Sequence, residues 1–468
     1  MCDGSTLGAA PGNVGLVAER IDTLIILGAG GDLTARLLLP GLASLLASDR
    51  GEPIAVIGVD RGDTTTAQWR EVVTEAFSAT PSELGSSVAA ETRFIAADVS
   101  QPTDLERVLA AASGRVALYF ALPPAVTILA CRALATLTLP EGICFALEKP
   151  FGTDLASARS LNRLLETMVP EEQIFRVDHF LGKSTVLNLL GLRFANRIFE
   201  PLLSAPNVEK VEIIFGETLA LENRAGYYDK AGALVDMIQS HLLLVLALAT
   251  MEPPASLSAG DLHGAMSQVL RATRLKRTDG TSSRRARYSA SAPGSERMLP
   301  AYADEEGVDA SRGTETLAEI TLEIDNWRWA GVPVILRSGK ALGDTRQDIV
   351  VTFKDVPHLP TGLTGAPGPA RLIVSMKPAT LDLDLVVNGQ GDPFSLERAV
   401  LHTKLGAGDL SAYGEVLSAL LEGDTVLSVR GDIAEQCWRI VEPALAAWRA
   451  GTVPLAEYPA GTAGPADW

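Results

Sequence analysis

The chain has 468 residues, more than one ordinary core accommodates, which makes two domains the expectation. Hydrophobic residues make up 47% and charged residues 21%, a globular balance, and no uninterrupted apolar run reaches the roughly 18 residues a membrane span needs. The net charge of −17 argues against nucleic acid as a general partner, and an anionic substrate would need a local basic pocket, because the field of the whole molecule does not attract it.

The first residues, Met1-Cys-Asp-Gly-Ser-Thr-Leu-Gly, carry no basic region before an apolar core, so no secretory signal is expected, and residues 1–20 read as a loose tail. Cys2, Cys131, Cys144 and Cys437 lack CxxC spacing and read as structural thiols of a reducing cytoplasm. His179, His241, His263, His358 and His402 form no HExxH pair, so no metal site is expected.

Asp22-Thr-Leu-Ile-Ile-Leu27 is a buried-strand run that feeds into Gly28-Ala29-Gly30-Gly31-Asp32-Leu33 and an apolar helix through Leu46. Strand, glycine turn and helix form the context of a dinucleotide fingerprint. Glycines let the backbone approach a pyrophosphate, and the helix N-terminus supplies N–H groups and positive potential. The spacing is not G-x-G-x-x-G, so a tight turn without a ligand stays open as an alternative. The second strand, Ile54–Val59, ends at Asp60-Arg61, where such folds read the adenosine ribose. An acidic residue there suits the 2′-hydroxyl of NAD, an Arg the 2′-phosphate of NADP. Consecutive strand residues point to opposite faces, so one of the two is expected to face away.

Strands at Arg93–Ala97, Val116–Leu122 and Cys144–Glu148 and a helix at Thr103–Ala112 continue the alternation and predict a mostly parallel, doubly wound sheet. Lys149, in Glu148-Lys-Pro-Phe-Gly152, follows a strand and so faces the ligand crevice of such a sheet. A helix over Asp154–Met168, capped by Thr153 or Asp154, leads to Arg176-Val-Asp-His-Phe-Leu-Gly-Lys183. That stretch packs a cation, a carboxylate, an imidazole and an ammonium into eight residues. The last two can hold phosphate oxygens, and the carboxylate can orient a histidine brought from elsewhere.

Beyond Lys183 the pattern changes. A helix is expected at Leu187–Asn196, strands at Val208–Phe215, Thr314–Asp325, Asp348–Phe353, Arg371–Met376 and Leu381–Val387, and helices at Tyr413–Leu421 and Ile433–Ala447, the last kinked or restarted at Pro443. Residues 273–299, basic and Ser-rich, read as a loop. The fold class is therefore α/β plus α+β, with a Rossmann-like NAD(P)-binding domain over 21–177 and a second domain with a large, mostly antiparallel sheet over 178–468, to which the family resemblance given below assigns substrate binding and dimerisation. On an α-helix, Asp236 and His241, five residues apart, stand roughly 140° apart, able to flank a pocket but not to share one narrow stripe.

GAGGDL, EKPFG, RVDHFLGK, the segment Glu217–His241 and GVPVILRSGK resemble, in this order, the glucose-6-phosphate dehydrogenase family. The departures are Gly30 for Ser, Asp60 for a small residue, Phe180 for Tyr, Ser184 for an acidic residue, Val235 for Arg and Ser240 for Asn. The resemblance implies oxidation of C1 of β-D-glucose 6-phosphate to 6-phosphoglucono-δ-lactone in a cytoplasmic homodimer or dimer of dimers. It also implies that His241 is the general base and Asp178 its orienting carboxylate. His179 and Lys183 would bind phosphate, and Lys149, Glu217, Asp236 and Lys340 would position sugar hydroxyls or phosphate. Gly28, Ala29, Gly30, Gly31, Asp32, Leu33, Arg61 and Lys149 would hold the cofactor, NADP through Arg61, with NAD use as well. Two other readings are a dehydrogenase of an unphosphorylated sugar and a non-catalytic paralogue that binds a protein partner.

Overall fold

The structure, a computed structural model, describes residues 20–222, 225–294, 297–365, 368–406, 408–466 and 468. The tail expected before Arg20, with Cys2, lies outside them. Six strands form the first sheet: β1 Thr23–Leu27, β2 Ala55–Asp60, β3 Arg93–Ala96, β4 Val116–Phe120, β5 Cys144–Glu148 and β6 Ile174–Val177. All are parallel in the order 3-2-1-4-5-6, the doubly wound topology whose strand C-termini open onto a ligand crevice. β1 and β4 are buried throughout because helices cover both faces of the sheet.

One of those covering helices comes from the far end of the chain. Ala412–Glu422 places Tyr413, Val416, Leu417, Leu420 and Leu421 in one buried cluster with Leu24, Ile26, Leu38 and Leu42. Gly41 permits the approach, since a Cβ there would stand 2.7 Å from Cβ of Tyr413. The last strand of the first sheet thus ends at Val177, while residues from the second half complete its core.

The second sheet has ten strands: β7 Val208–Gly216, β8 Thr273–Leu275, β9 Ser283–Ser289, β10 Leu317–Ile324, β11 Val334–Gly339, β12 Arg346–Phe353, β13 Arg371–Met376, β14 Ala379–Asn388, β15 Leu396–Lys404 and β16 Leu455–Pro459. It is antiparallel except for β7 with β11 and β9 with β16. The loop expected over 273–299 is corrected: it contains β8 and β9. Arg274, Arg284, Arg285 and Arg287 are strand residues, Arg284 standing opposite Glu319 of β10 and ion-paired to it, so charge here supports a ladder. The helix expected to kink or restart at Pro443 does not restart there: one helix runs from Gly431 to Arg449 with Pro443 inside it.

The longest apolar helical stretch, Ala225–Thr250, meets the length and composition of a membrane span, unlike the expectation from uninterrupted runs. Of its most apolar window, 83% is buried within the fold. Residues 243–250 are all buried, so this is a core helix. Its C-terminus is held by Arg193, 2% exposed, whose guanidinium donates to the carbonyls of Leu248 (2.7 Å) and Met251 (2.6 Å) and pairs with Glu200. A cation at that end also complements the helix dipole. Arg193→Met would leave two buried carbonyls without their donor. It should cost about 2–5 kcal/mol of stability, read as a lower denaturant midpoint; an unchanged midpoint would show that the helix end holds without it.

Candidate active site

Strand register brings the candidate residues together in pairs. In the parallel pair β5–β6, Glu148 lies beside Val177, so the next residues, Lys149 and Asp178, emerge side by side at the crevice. In the parallel pair β7–β11, Gly216 lies beside Gly339, so Glu217 and Lys340 follow as neighbours, and the Lys340 ammonium stands 2.8 Å from the Glu217 carboxylate. The Lys149–Pro150 peptide is cis.

The third contributor is the segment Leu234–Leu242, which is a π-helix rather than an α-helix. Its i→i+5 bonding brings residues five apart onto nearly one face. The separation expected between Asp236 and His241 is thereby corrected, since both turn toward the crevice. Asp236 accepts from Lys149 (Nζ to Oδ1 3.4 Å, Nζ to its carbonyl 2.5 Å), and Nδ1 of His241 lies 2.5 Å from Oδ1 of Asp178. Asp178 is 0% exposed and His241 1%. Oδ1 of Asp178 also accepts the N–H of Phe180 at 3.0 Å.

The electrostatics follow from that burial. Desolvation alone would raise the Asp178 pKa, but the His241 ring, with His179 and Lys149, holds it well below the ordinary carboxylate range. Burial lowers His241 against the pull of Asp178, so the imidazole is neutral at neutral pH. With Asp178 an obligate acceptor, Nδ1 carries the proton and Nε2 has a free lone pair. His179 is pushed down to about 3 by burial and by His241, and it offers an N–H rather than a charge.

The rings are locked by stacking. Phe180 lies parallel to His241 (centroids 4.2 Å, 13°), and the Lys183 ammonium sits 3.4 Å from the centre of the same Phe180 ring. Phe180, read from sequence only as a lost phenol, is thus the wall that orients base and cation. His179 stacks on Tyr413 (5.8 Å, 13°), whose hydroxyl donates to Glu148 at 3.2 Å; Tyr119 donates to the same carboxylate at 2.5 Å. Burial raises Glu148 to about 7. Neither Tyr413 nor Tyr119 carried any local signal, because each enters through tertiary packing. Burial likewise lowers Lys183 to about 8, with Asp178 and Glu217 opposing. Ser184 bonds the Gly408 N–H at 3.3 Å.

The glycine turn lies at the other end of the crevice. Gly28 has φ +89, and a Cβ there would stand 2.2 Å from the Ala121 carbonyl, so only glycine fits. The N–H groups of Gly28 and Ala29 donate to Val59, and Thr34 ties its hydroxyl to the Gly28 carbonyl. Gly28, Gly31, Asp60, Arg61, Ala97, Ala121 and Leu122 are among the residues lining one cavity. Asp32 and Leu33 open the helix beyond, which begins as a π-helical turn at Thr34–Leu38. The glycine turn, the helix N-terminus and the groove beside them fit a dinucleotide. The expectation that one of Asp60 and Arg61 faces away is corrected: Asp60 ends β2 with its carboxylate 3.0 Å from the Gly30 N–H, Arg61 follows in the bend, and both line the cavity.

Comparison with known proteins agrees with this geometry. Residues 25–188 match the family pattern of the glucose-6-phosphate dehydrogenase NAD binding domain, and residues 190–468 that of its C-terminal domain. The chain is 36% identical over 481 residues to glucose-6-phosphate 1-dehydrogenase 2 of Mycobacterium bovis, covering 94% of this chain and 91% of that protein. It is 34% identical to the Zymomonas mobilis glucose-6-phosphate 1-dehydrogenase, with 96% and 97% covered. Among solved structures, the Mycobacterium avium glucose-6-phosphate 1-dehydrogenase superposes with a TM-score of 0.83 at 34% identity, covering 95% of each chain. A glucose-6-phosphate dehydrogenase in complex with glucose 6-phosphate superposes with a TM-score of 0.86 at 28% identity, covering 96% of this chain and 97% of that one. With both of its halves matched in order and the motifs of each meeting at one dyad, the chain belongs to the glucose-6-phosphate dehydrogenase family.

Proposed function

We infer that this chain is a nicotinamide-dependent glucose-6-phosphate 1-dehydrogenase, oxidising C1 of β-D-glucose 6-phosphate to the δ-lactone. The observation that carries the reading is the buried Asp178–His241 pair, with the base nitrogen free, Lys149 and Lys183 beside the pair, and Lys340 paired to Glu217, which also faces Lys183. Nε2 of His241 takes the C1 hydroxyl proton while Asp178 holds Nδ1–H and stabilises the imidazolium that forms. Lys149 and Asp236, and likewise Lys340 and Glu217, are ammonium–carboxylate pairs; a sugar hydroxyl, both donor and acceptor, bridges such a pair. His179 and Lys183 bind the phosphate. A cofactor bound at the glycine turn supplies the acceptor for the hydride leaving C1.

The cofactor in this reading is NADP, its 2′-phosphate held by the exposed guanidinium of Arg61. NAD is a second cofactor, supported by the Asp60 carboxylate turned toward the glycine turn, where it accepts from a 2′-hydroxyl and opposes a 2′-phosphate. A homodimer or dimer of dimers through the second sheet is part of the proposal. The edge strand β15 leaves Val400 and Leu401 56% and 61% exposed, apolar surface that a partner would cover. Buried free thiols at Cys131, Cys144 and Cys437 suit a reducing cytoplasm.

Four measurements test the reading. His241→Asn should lower kcat by about 10²–10⁴-fold with little change in KM for the sugar phosphate. A variant keeping more than about a tenth of the wild-type kcat removes His241 from the chemistry. Lys183→Ala should weaken glucose 6-phosphate by about 1.5–3 kcal/mol and leave activity on glucose unchanged, whereas equal losses on both sugars would point to the unphosphorylated-sugar reading.

Lys183 is cationic below about pH 8 and neutral above, so kcat/KM for glucose 6-phosphate should fall as pH rises through that value. Lys183→Arg should remove this limb, because a guanidinium stays charged. For the cofactor, Arg61→Ala should cost NADP about 1.5–3 kcal/mol and spare NAD, and Asp60→Ala should improve NADP or leave it unchanged. Preference of the wild type for NAD, with selective damage to NAD use in Asp60→Ala, would reverse the assignment. Inactivity of the wild type on every sugar and cofactor combination would favour the non-catalytic paralogue.

A further inference from the structure

The π-helical segment that carries Asp236 and His241 has no cap of its own. Its N-cap residue, Ala233, offers no side-chain acceptor, and the residue before that, Gly232, is in the left-handed region at φ +68. A helix start needs acceptors for its first N–H groups, and a negative charge there also complements the dipole.

Both come from a residue 81 positions away. Oε1 of Glu315 accepts the Leu234 N–H at 3.0 Å, and the Glu315 backbone carbonyl accepts the Ala233 N–H at 3.2 Å. Glu315 is 7% exposed. A Cβ on Gly232 would stand 2.3 Å from Oε1, so glycine at 232 is what admits the carboxylate. The next residue, Thr316, serves the other side of the site. Its carbonyl accepts the Lys340 N–H at 2.9 Å, and its hydroxyl lies 2.9 Å from the Tyr458 hydroxyl, which donates to the Lys340 carbonyl at 2.6 Å. Two consecutive residues just before β10 therefore hold the base-bearing segment and the substrate-binding lysine in one register.

We propose that Glu315 is a positioning residue for the reaction: its carboxylate fixes the start of the segment Leu234–Leu242 and thereby aims His241 and Asp236 at the sugar held by Lys340. The proposal rests on the reading of His241 as general base. The titratable and charged groups facing Glu315 are Arg285 of β9, Tyr228 of the helical stretch preceding the segment, and Tyr302. The Tyr228 hydroxyl is buried and has no hydrogen-bond partner among the described residues. Burial pushes Glu315 up to about 7, against the Leu234 N–H and Arg285, so the anionic anchor is present above that pH and lost as pH falls through it.

The test compares wild type, Glu315→Gln and His241→Asn, all with bound cofactor. Glu315→Gln keeps an acceptor and removes the charge. It should fold, lower kcat by about 5–50-fold, and raise the primary isotope effect on glucose 6-phosphate deuterated at C1, because a misaimed base slows the chemical step. It should also lose the acid limb of the kcat profile near neutral pH, although Glu148, which titrates in the same range, is untouched in that variant. Glu315→Asp is the second variant should the amide fail to fold; it keeps the charge, and should keep the limb while losing several-fold in kcat. Wild-type kcat, isotope effect and pH profile in a folded Glu315 variant overturn the proposal. If His241→Asn is inactive while that variant is normal, the inference alone falls; if His241→Asn is active, the base assignment falls first.

Discussion

The hydrogen bond between Asp178 and His241 is the constraint on which the rest of the site depends. It joins the end of the last strand of the first sheet to a helix of the second domain, so it exists only when both domains have docked. Both groups are fully buried, and a buried carboxylate is tolerable only when paired. The same bond sets the tautomer of the imidazole and leaves the opposite nitrogen free. Phe180 then fixes the ring plane, since the residue that stacks on His241 lies two positions from the carboxylate that holds it.

Parallel pairing explains why so many charged side chains converge there. Neighbouring parallel strands ending in register deliver consecutive residues side by side, once as Lys149 beside Asp178 and once as Glu217 beside Lys340. A protein of net charge −17 thereby concentrates cations in one crevice. Of these, Lys149 and Lys340 are held by facing carboxylates, Asp236 and Glu217. Such pairs are poised to exchange one partner for sugar hydroxyls without stranding a charge.

The helix opposite is held at both ends by charges of the sign its dipole favours, Glu315 at the start of the π-helical segment and Arg193 at the C-terminus. Between these anchors the backbone departs from α geometry over the residues that carry Asp236 and His241. A π-helical insertion has poorer packing than an α-turn, and the fully buried stretch Leu243–Thr250 behind it supplies the apolar contact that keeps the segment in place.

The sequence by itself determined strands β1 to β5 of the first domain with the helices that follow β1, β3 and β5, the second sheet's existence and most of the charged residues that meet at the candidate site. Those rest on local rules: strand runs ending in glycine or lysine, a helix cap at Asp154, and motif strings whose spacing survives intact. It missed β8, β9, β15 and β16, where arginines or solvent-facing residues replace apolar alternation, and it placed Asp236 and His241 on different faces because α-helical periodicity was the only period available to it. Only the tertiary structure decided that these two share a face, that both Asp60 and Arg61 line the cofactor groove, and that Phe180, Tyr413, Glu148 and Glu315 support the site. Each of those depends on a partner dozens to hundreds of residues away, and no local pattern in the chain encodes which partner docking will supply.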